Sequence, residues 1–174
     1  MIMLAPEQTW WKPLHRYEKS WVIVAFFWCI LLTAMMPIWY LYGRQNVPAE
    51  TYRTTPEAYE ALVQEMVSQY EIGKENGIPV VAPPPGSDVY FQARQWQWYP
   101  VLQLEEGKTY RLHLSSLDVQ HGFSLQPVNL NLQVLPGYDY VATITPTKTG
   151  EFSVICNEFC AIGHHLMVGK IIVK

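Results

Sequence analysis

Glu151-Phe-Ser-Val-Ile155, then Cys156-Asn-Glu-Phe-Cys160-Ala-Ile-Gly-His164-His-Leu-Met167, then Lys170-Ile-Ile-Val173 make up the stretch on which the fold turns. The outer segments mostly alternate apolar and polar residues, the period of a half-buried strand. Between them lie two thiols, an imidazole and a thioether in the pattern C-x3-C-x3-H-x2-M. Working back towards the N-terminus, Val89–Arg94, Thr109–Leu114, Leu130–Leu135 and Tyr138–Thr145 alternate in the same way, with Gly107, Pro136-Gly137 and Thr149-Gly150 as punctuation. Six or more short strands in about 86 residues predict an all-β sandwich or small Greek-key barrel. No internal repeat is visible.

Upstream of residue 88 the composition changes. Thr55 as N-cap, Pro56 at the first helical position and Glu57 in the first turn open a helix. Tyr59, Leu62, Val63, Met66, Val67 and Tyr70 continue it at helical spacing, which predicts a short amphipathic helix over about 56–72, ended by Gly73 and Gly77. Its other face carries Glu57, Glu60 and Glu71, which argues against an anionic lipid surface and for packing on its own domain or a partner subunit. Pro79–Gly86, with Pro83-Pro84-Pro85, reads as a stiff extended connector. The whole of 43–87 is therefore expected to be a connector carrying one helix.

Trp21–Tyr42 is a run of 22 residues without a charged side chain, and a bilayer needs roughly 20. A cleaved signal would be shorter and followed by small residues. Trp39-Tyr40-Leu41-Tyr42 follows instead and matches an interfacial aromatic belt, with Trp21 at the other end. We expect an uncleaved anchor over 21–42, kinked near Pro37. Lys12, Arg16 and Lys19 before the run outnumber Arg44 and Arg53 after it, which orients residues 1–20 to the cytoplasm. The 174 residues are 49% hydrophobic, 16% charged and 14% aromatic, which excludes a disordered chain. A net charge of −3, with −4 after Gly43, excludes a free nucleic-acid binder.

Soft sulfur donors select copper, zinc or iron–sulfur clusters, and His121, after a strand, could reach the loop across the sandwich as a further nitrogen donor. A Cys156–Cys160 disulfide is possible outside the cytosol but leaves His164 and Met167 without a role. Zinc on two Cys and two His has no use for Met167. A mononuclear copper on two His, one Cys and an axial Met leaves one Cys over. Two coppers bridged by both thiolates, each with one His and a weak donor, employ every group.

The loop, His121 and the segment Gln95-Trp96-Gln97-Trp98 resemble subunit II of haem-copper cytochrome c oxidases, which carries a dinuclear copper centre, CuA, on a cupredoxin domain. The resemblance covers the anchor and residues 88–174. It implies an all-β cupredoxin-like Greek-key domain with one N-terminal transmembrane helix and the short extra helix. It also implies metal ligation by His121, Cys156, Cys160, His164, Met167 and the backbone carbonyl of Glu158. The single anchor, with Tyr17-Glu18-Lys19 leading into it, resembles the B-type (ba-type) branch. In A-type relatives the carboxylate at the position of Glu158 also binds magnesium. Where the family has Gly after the second Cys, this chain has Ala161, and a positive φ there would be strained.

By that resemblance the chain is a subunit of an oxidoreductase: it accepts electrons from a soluble cytochrome c and passes them through CuA to a haem-copper subunit I, where oxygen is reduced. Haem and a further copper are expected only in that partner. The setting would be the bilayer of a prokaryotic inner membrane, with the C-terminal domain on the outer side. Alternating with Gln95 and Gln97, Trp96 and Trp98 would face one side of a strand; the resemblance makes Trp96 the surface aromatic at which electrons enter. Rival readings are the CuA subunit of a nitric oxide reductase and a membrane-anchored copper-delivery protein. His113, in an alternating strand, reads as solvent-facing or hydrogen-bonded, and His165 is left out of the site.

Overall fold

A computed structural model describes residues 13–43, 50–128 and 130–174, and the chain divides into two units, Met1–Arg44 and Gln45–Lys174. In the first, helix α1 spans Arg16–Tyr42 with Pro37 inside it. Its N-terminus is capped by His15, whose N–H donates to the Glu18 carboxylate at 2.7 Å, and it ends where the Gly43 N–H donates to Trp39 O at 2.7 Å. No residue of α1 is buried, and it is long and apolar enough to cross a membrane. It starts five residues before the apolar run, because Arg16–Ser20 are adequate helix formers whatever their charge. Lys12 and Arg44, on which the charge comparison partly rests, lie outside the described residues, as does most of the 1–20 segment.

The second unit is a two-sheet sandwich. One sheet contains β1 (Glu50–Arg53), β4 (Asp88–Arg94), β5 (Gln97–Tyr99), β7 (Tyr110–Ser116) and β10 (Tyr138–Ile144) in the order β1-β10-β7-β4-β5. The other contains β2 (Glu71–Glu75), β3 (Ile78–Val81), β6 (Val101–Leu104), β8 (His121–Leu125), β9 (Leu130–Val134), β11 (Gly150–Cys156) and β12 (Val168–Val173), in the order β2-β3-β6-β12-β11-β8-β9. Alternation along the strands sends Phe91, Leu112, Leu114, Leu132 and Val154 into the shared core. This is a cupredoxin-like β-fold.

Helix α2 spans Pro56–Tyr70, and Thr55 Oγ1 accepts from Ala58 N–H at 3.2 Å. It buries Tyr59, Val63, Met66 and Val67 against β4 and β7 of one sheet and β3 and β2 of the other. The Tyr59 hydroxyl donates to Phe91 O at 3.3 Å, and Met66 Sδ accepts from the Tyr90 N–H at 3.3 Å.

The expectation that 43–87 is a connector does not hold. β1 pairs with β10, and β3 pairs parallel to β6, so this segment supplies part of both sheets. Helical spacing also overran the helix end. Ile72 belongs to β2, and Asn76-Gly77, with φ of 50° and 82°, makes the tight turn of a β2–β3 hairpin. Pro79, expected in the connector, lies in β3. The strands that escaped detection are short or, like β8, buried along their whole length, and neither kind shows alternation.

Candidate metal centre

β8 and β11 are neighbours, with Cys156 opposite Phe123. The first residue of β8, His121, therefore lies beside the last residue of β11, Cys156. The Cys156 N–H donates to Met167 O at 3.1 Å and closes the neck of the loop. Inside it, Ala161 takes φ +86°, and a short 3-10 turn, His164–Leu166, brings Met167 back over the core.

The six expected ligand groups converge. The two sulfurs are 3.7 Å apart. His121 Nδ1 lies 3.8 Å from Cys156 Sγ, and Glu158 O lies 3.2 Å from the same sulfur. His164 Nδ1 lies 3.6 Å from Cys160 Sγ, and Met167 Sδ lies 3.8 Å from it. Each thiol thus has one imidazole and one weak donor. The ligand atoms of His121, Cys156 and Cys160 all fall within 4.8 Å of one another. His121, Cys156, Cys160 and Met167 are buried. Two thiols, a thioether, two imidazoles and one carbonyl, paired two by two, make a set that fits copper and has no surplus member.

The surroundings orient the donors. His121 Nε2 lies 2.9 Å from Asp118 Oδ1, which leaves Nδ1 for a metal. Burial pushes the Asp118 carboxyl up, but hydrogen bonds from His121 and from the Gln95 and Val119 N–H groups outweigh it and hold its pKa below the usual value. Burial, followed by the hydrogen bond with Cys156, pushes the Cys160 thiol up to about 11. A metal binding there must displace a proton, so its affinity falls as pH falls.

Trp96 and Trp98 do not share a side of one strand. The chain turns at Gln95-Trp96 between β4 and β5. Trp98 points into the core, 2% exposed and stacked on Phe91 at 5.4 Å. Trp96 stays on the turn, 43% exposed, and its Nε1–H donates to Cys160 O at 3.1 Å. Gln95 Nε2 donates to the same carbonyl at 3.1 Å. The Trp96 ring lies against Gly163, where a Cβ would come within 2.3 Å of it. Alternation failed here because Trp96 sits on the hairpin turn itself and only Trp98 lies in the strand that follows.

Phe159, Ile162, Leu166 and Val168 are exposed around the loop. His165 is exposed. His113 is buried, with Nδ1 at 2.7 Å from Asp139 and Nε2 at 3.1 Å from Asp88. The Glu158 carboxylate accepts from Gln133 Nε2 at 3.2 Å. Sequence reading missed Asp118, Gln95, Gln133 and Gly122. The one local signal was Asp118, three residues before a candidate ligand.

No family model matches the chain. Over 87 residues it is 36% identical to cytochrome c oxidase subunit 2 from Thermus thermophilus, covering 49% of this chain and 64% of that protein. It covers 52% of a second Thermus thermophilus relative of the same name, so it spans between half and two thirds of the length of these two relatives. Among solved structures, a chain of a haem-copper terminal oxidase dimer superposes with a TM-score of 0.59 at 24% identity, over 91% of this chain and all of that one. Rusticyanin from Thiobacillus ferrooxidans superposes with a TM-score of 0.54 at 18% identity, over 74% of this chain and 99% of that one. At those identities the structural matches speak for the fold alone.

Proposed function

We propose that this chain, a relative of cytochrome c oxidase subunit 2, is the electron-transfer subunit of a haem-copper terminal oxidase. In this reading it takes electrons from a soluble cytochrome c and delivers them to haem in a catalytic subunit I that reduces oxygen. The observation that carries it is the pairing at the loop: Cys156 with His121 and Glu158 O, and Cys160 with His164 and Met167, around sulfurs 3.7 Å apart.

Two thiolate-bridged coppers bound there would spread one unit of charge over both ions, so that oxidation and reduction require little movement. The chain's own residues supply the rest. Asp118 fixes the His121 ring, and Trp98, Phe91 and Phe123 share one buried core with both sulfurs. Trp96, half exposed and hydrogen-bonded to the backbone of a candidate ligand, is the point at which electrons enter. The apolar rim of Phe159, Ile162 and Leu166, each more than two thirds exposed, suits a docking surface, and the acidic balance after Gly43 steers a basic cytochrome. Helix α1 anchors the chain in a prokaryotic inner membrane, the β-domain on the outer side, as in the single-helix B-type branch.

The test is copper reconstitution of the purified full chain. Two coppers per chain, a purple colour and an EPR signal of one electron shared by two nuclei are expected, with Cys156→Ser and Cys160→Ser each abolishing the shared signal. A wild-type chain that takes up one zinc and stays colourless with copper would overturn the proposal.

A further inference from the structure

Edge strand β9 presents two side chains outward, Asn131 and Gln133, while Leu130, Leu132 and Val134 point into the core. Both outward amides are spent on the same two-residue corner of the metal loop. The Asn157 side-chain amide donates to Asn131 Oδ1 at 3.1 Å, and Gln133 Nε2 donates to the Glu158 carboxylate at 3.2 Å. β8 supplies the floor of this seat. The Asn157 N–H donates to Gly122 O at 3.2 Å. A Cβ on Gly122 would come within 2.1 Å of Asn157 Oδ1 and 2.7 Å of Glu158 Cγ, so only glycine lets the corner lie flat on the strand. Gly122 faces Gln133 across the ladder and follows the candidate ligand His121. The corner so held is the one whose carbonyl oxygen, on Glu158, lies 3.2 Å from Cys156 Sγ.

We infer that Gln133 and Asn131 are positioning residues of the metal centre: they hold the Asn157–Glu158 corner so that the Glu158 carbonyl is delivered to the metal on the Cys156 side. This rests on the dinuclear reading above for the identity of the metal, but not for the clamp itself. It also gives the Glu158 side chain a task, since its carboxylate is the handle by which the edge strand grips the loop. A carbonyl is a weak donor whose contribution depends on its approach, so the residues that set the approach tune the site.

Two measurements on the full chain separate the clamp from the metal. In the metal-free chain, Gln133→Leu should speed hydrogen exchange at the Asn157 amide several-fold. In the copper-loaded chain, Gln133→Leu should change the copper hyperfine pattern and weaken copper binding about tenfold, the usual size for loss of an outer hydrogen-bond partner. Gln133→Glu should do the same by setting two carboxylates against each other. The Q133E/E158Q double variant restores a donor–acceptor pair and should return the wild-type spectrum, a rescue that a merely structural role would not produce. Unchanged exchange in Q133L would overturn the clamp. Faster exchange with an unaltered copper spectrum and affinity would overturn the positioning role. A wild-type chain with no shared-electron signal would sink the dinuclear reading instead, and the clamp would then be judged by exchange alone.

Discussion

Ala161 stands between two candidate ligands with φ +86°, a left-handed conformation that costs an L-residue with a Cβ roughly 1–2 kcal/mol. Glycine relieves that cost but gives up about 0.4–1 kcal/mol by loosening the unfolded chain. Ala161→Gly should therefore stabilise the metal-free chain by about 0.5–1 kcal/mol in denaturant unfolding, and a loss of stability would show that the methyl group has packing worth more than the strain. At the same scale the two tryptophans separate cleanly. Trp96→Ala should leave the copper spectrum in place while slowing electron transfer from cytochrome c by about tenfold or more, as stopped-flow mixing would record. Trp98→Ala removes a ring that is 2% exposed and should cost about 3–5 kcal/mol. A Trp96→Ala chain that is reduced at the wild-type rate would make Trp96 a packing residue and put the electron path elsewhere.

At the scale of the element, α2 owes its place to four buried side chains rather than to its acidic face. Met66 is the most informative of them, because its sulfur both fills the interface and accepts from the Tyr90 N–H, a strand group facing the helix. Met66→Ala should destabilise the β-domain by about 2–5 kcal/mol with the copper spectrum intact, since α2 packs chiefly on β4 and β3 whereas the loop hangs between β11 and β12. Chemical denaturation followed by tryptophan fluorescence would measure it, and a loss below about 1 kcal/mol would mean that α2 contributes little to the fold. The helix start was legible in Thr55-Pro56-Glu57 because capping is local chemistry. The hairpin after it carried a local signal as well, Asn76-Gly77, which helical spacing reads only as a helix end; what no local pattern names is the parallel pairing of β3 with β6, some twenty residues further along the chain.

Across the whole molecule, His113 ties three strands together. Its two nitrogens face Asp139 on β10 and Asp88 on β4, and Arg111 carries the network from Asp88 to Glu50 on β1. A neutral imidazole donates from one nitrogen only, so both contacts are satisfied as hydrogen bonds only by the charged ring. Burial opposes that charge, but the hydrogen bonds and charges of Asp139 and Asp88 overcome it and raise the His113 pKa. A raised folded pKa means that the stabilisation is complete below the unfolded value of about 6.5 and is lost as pH rises through the folded one. Unfolding free energy should therefore fall with rising pH above about 6.5, and His113→Gln should flatten that slope. A wild-type slope that persists in the variant would assign the effect to another group.

The sequence by itself determined the β-rich class, the apolar helix, the start of α2 and the candidate donor set Cys156, Cys160, His164 and Met167. Each of these is written in a period, a cap or a spacing of a few residues, and short-range sterics and solvation enforce such patterns wherever the chain goes. Only the tertiary structure decided that residues 50–81 belong to both sheets, that Trp96 and Trp98 part at a turn, and that β9 grips the loop through Gln133. It also brought His121 to Cys156 at 3.8 Å and set His113 between two carboxylates. Those outcomes depend on which strands become neighbours, and that is settled by burying the whole core at once, a condition that no short stretch of sequence carries.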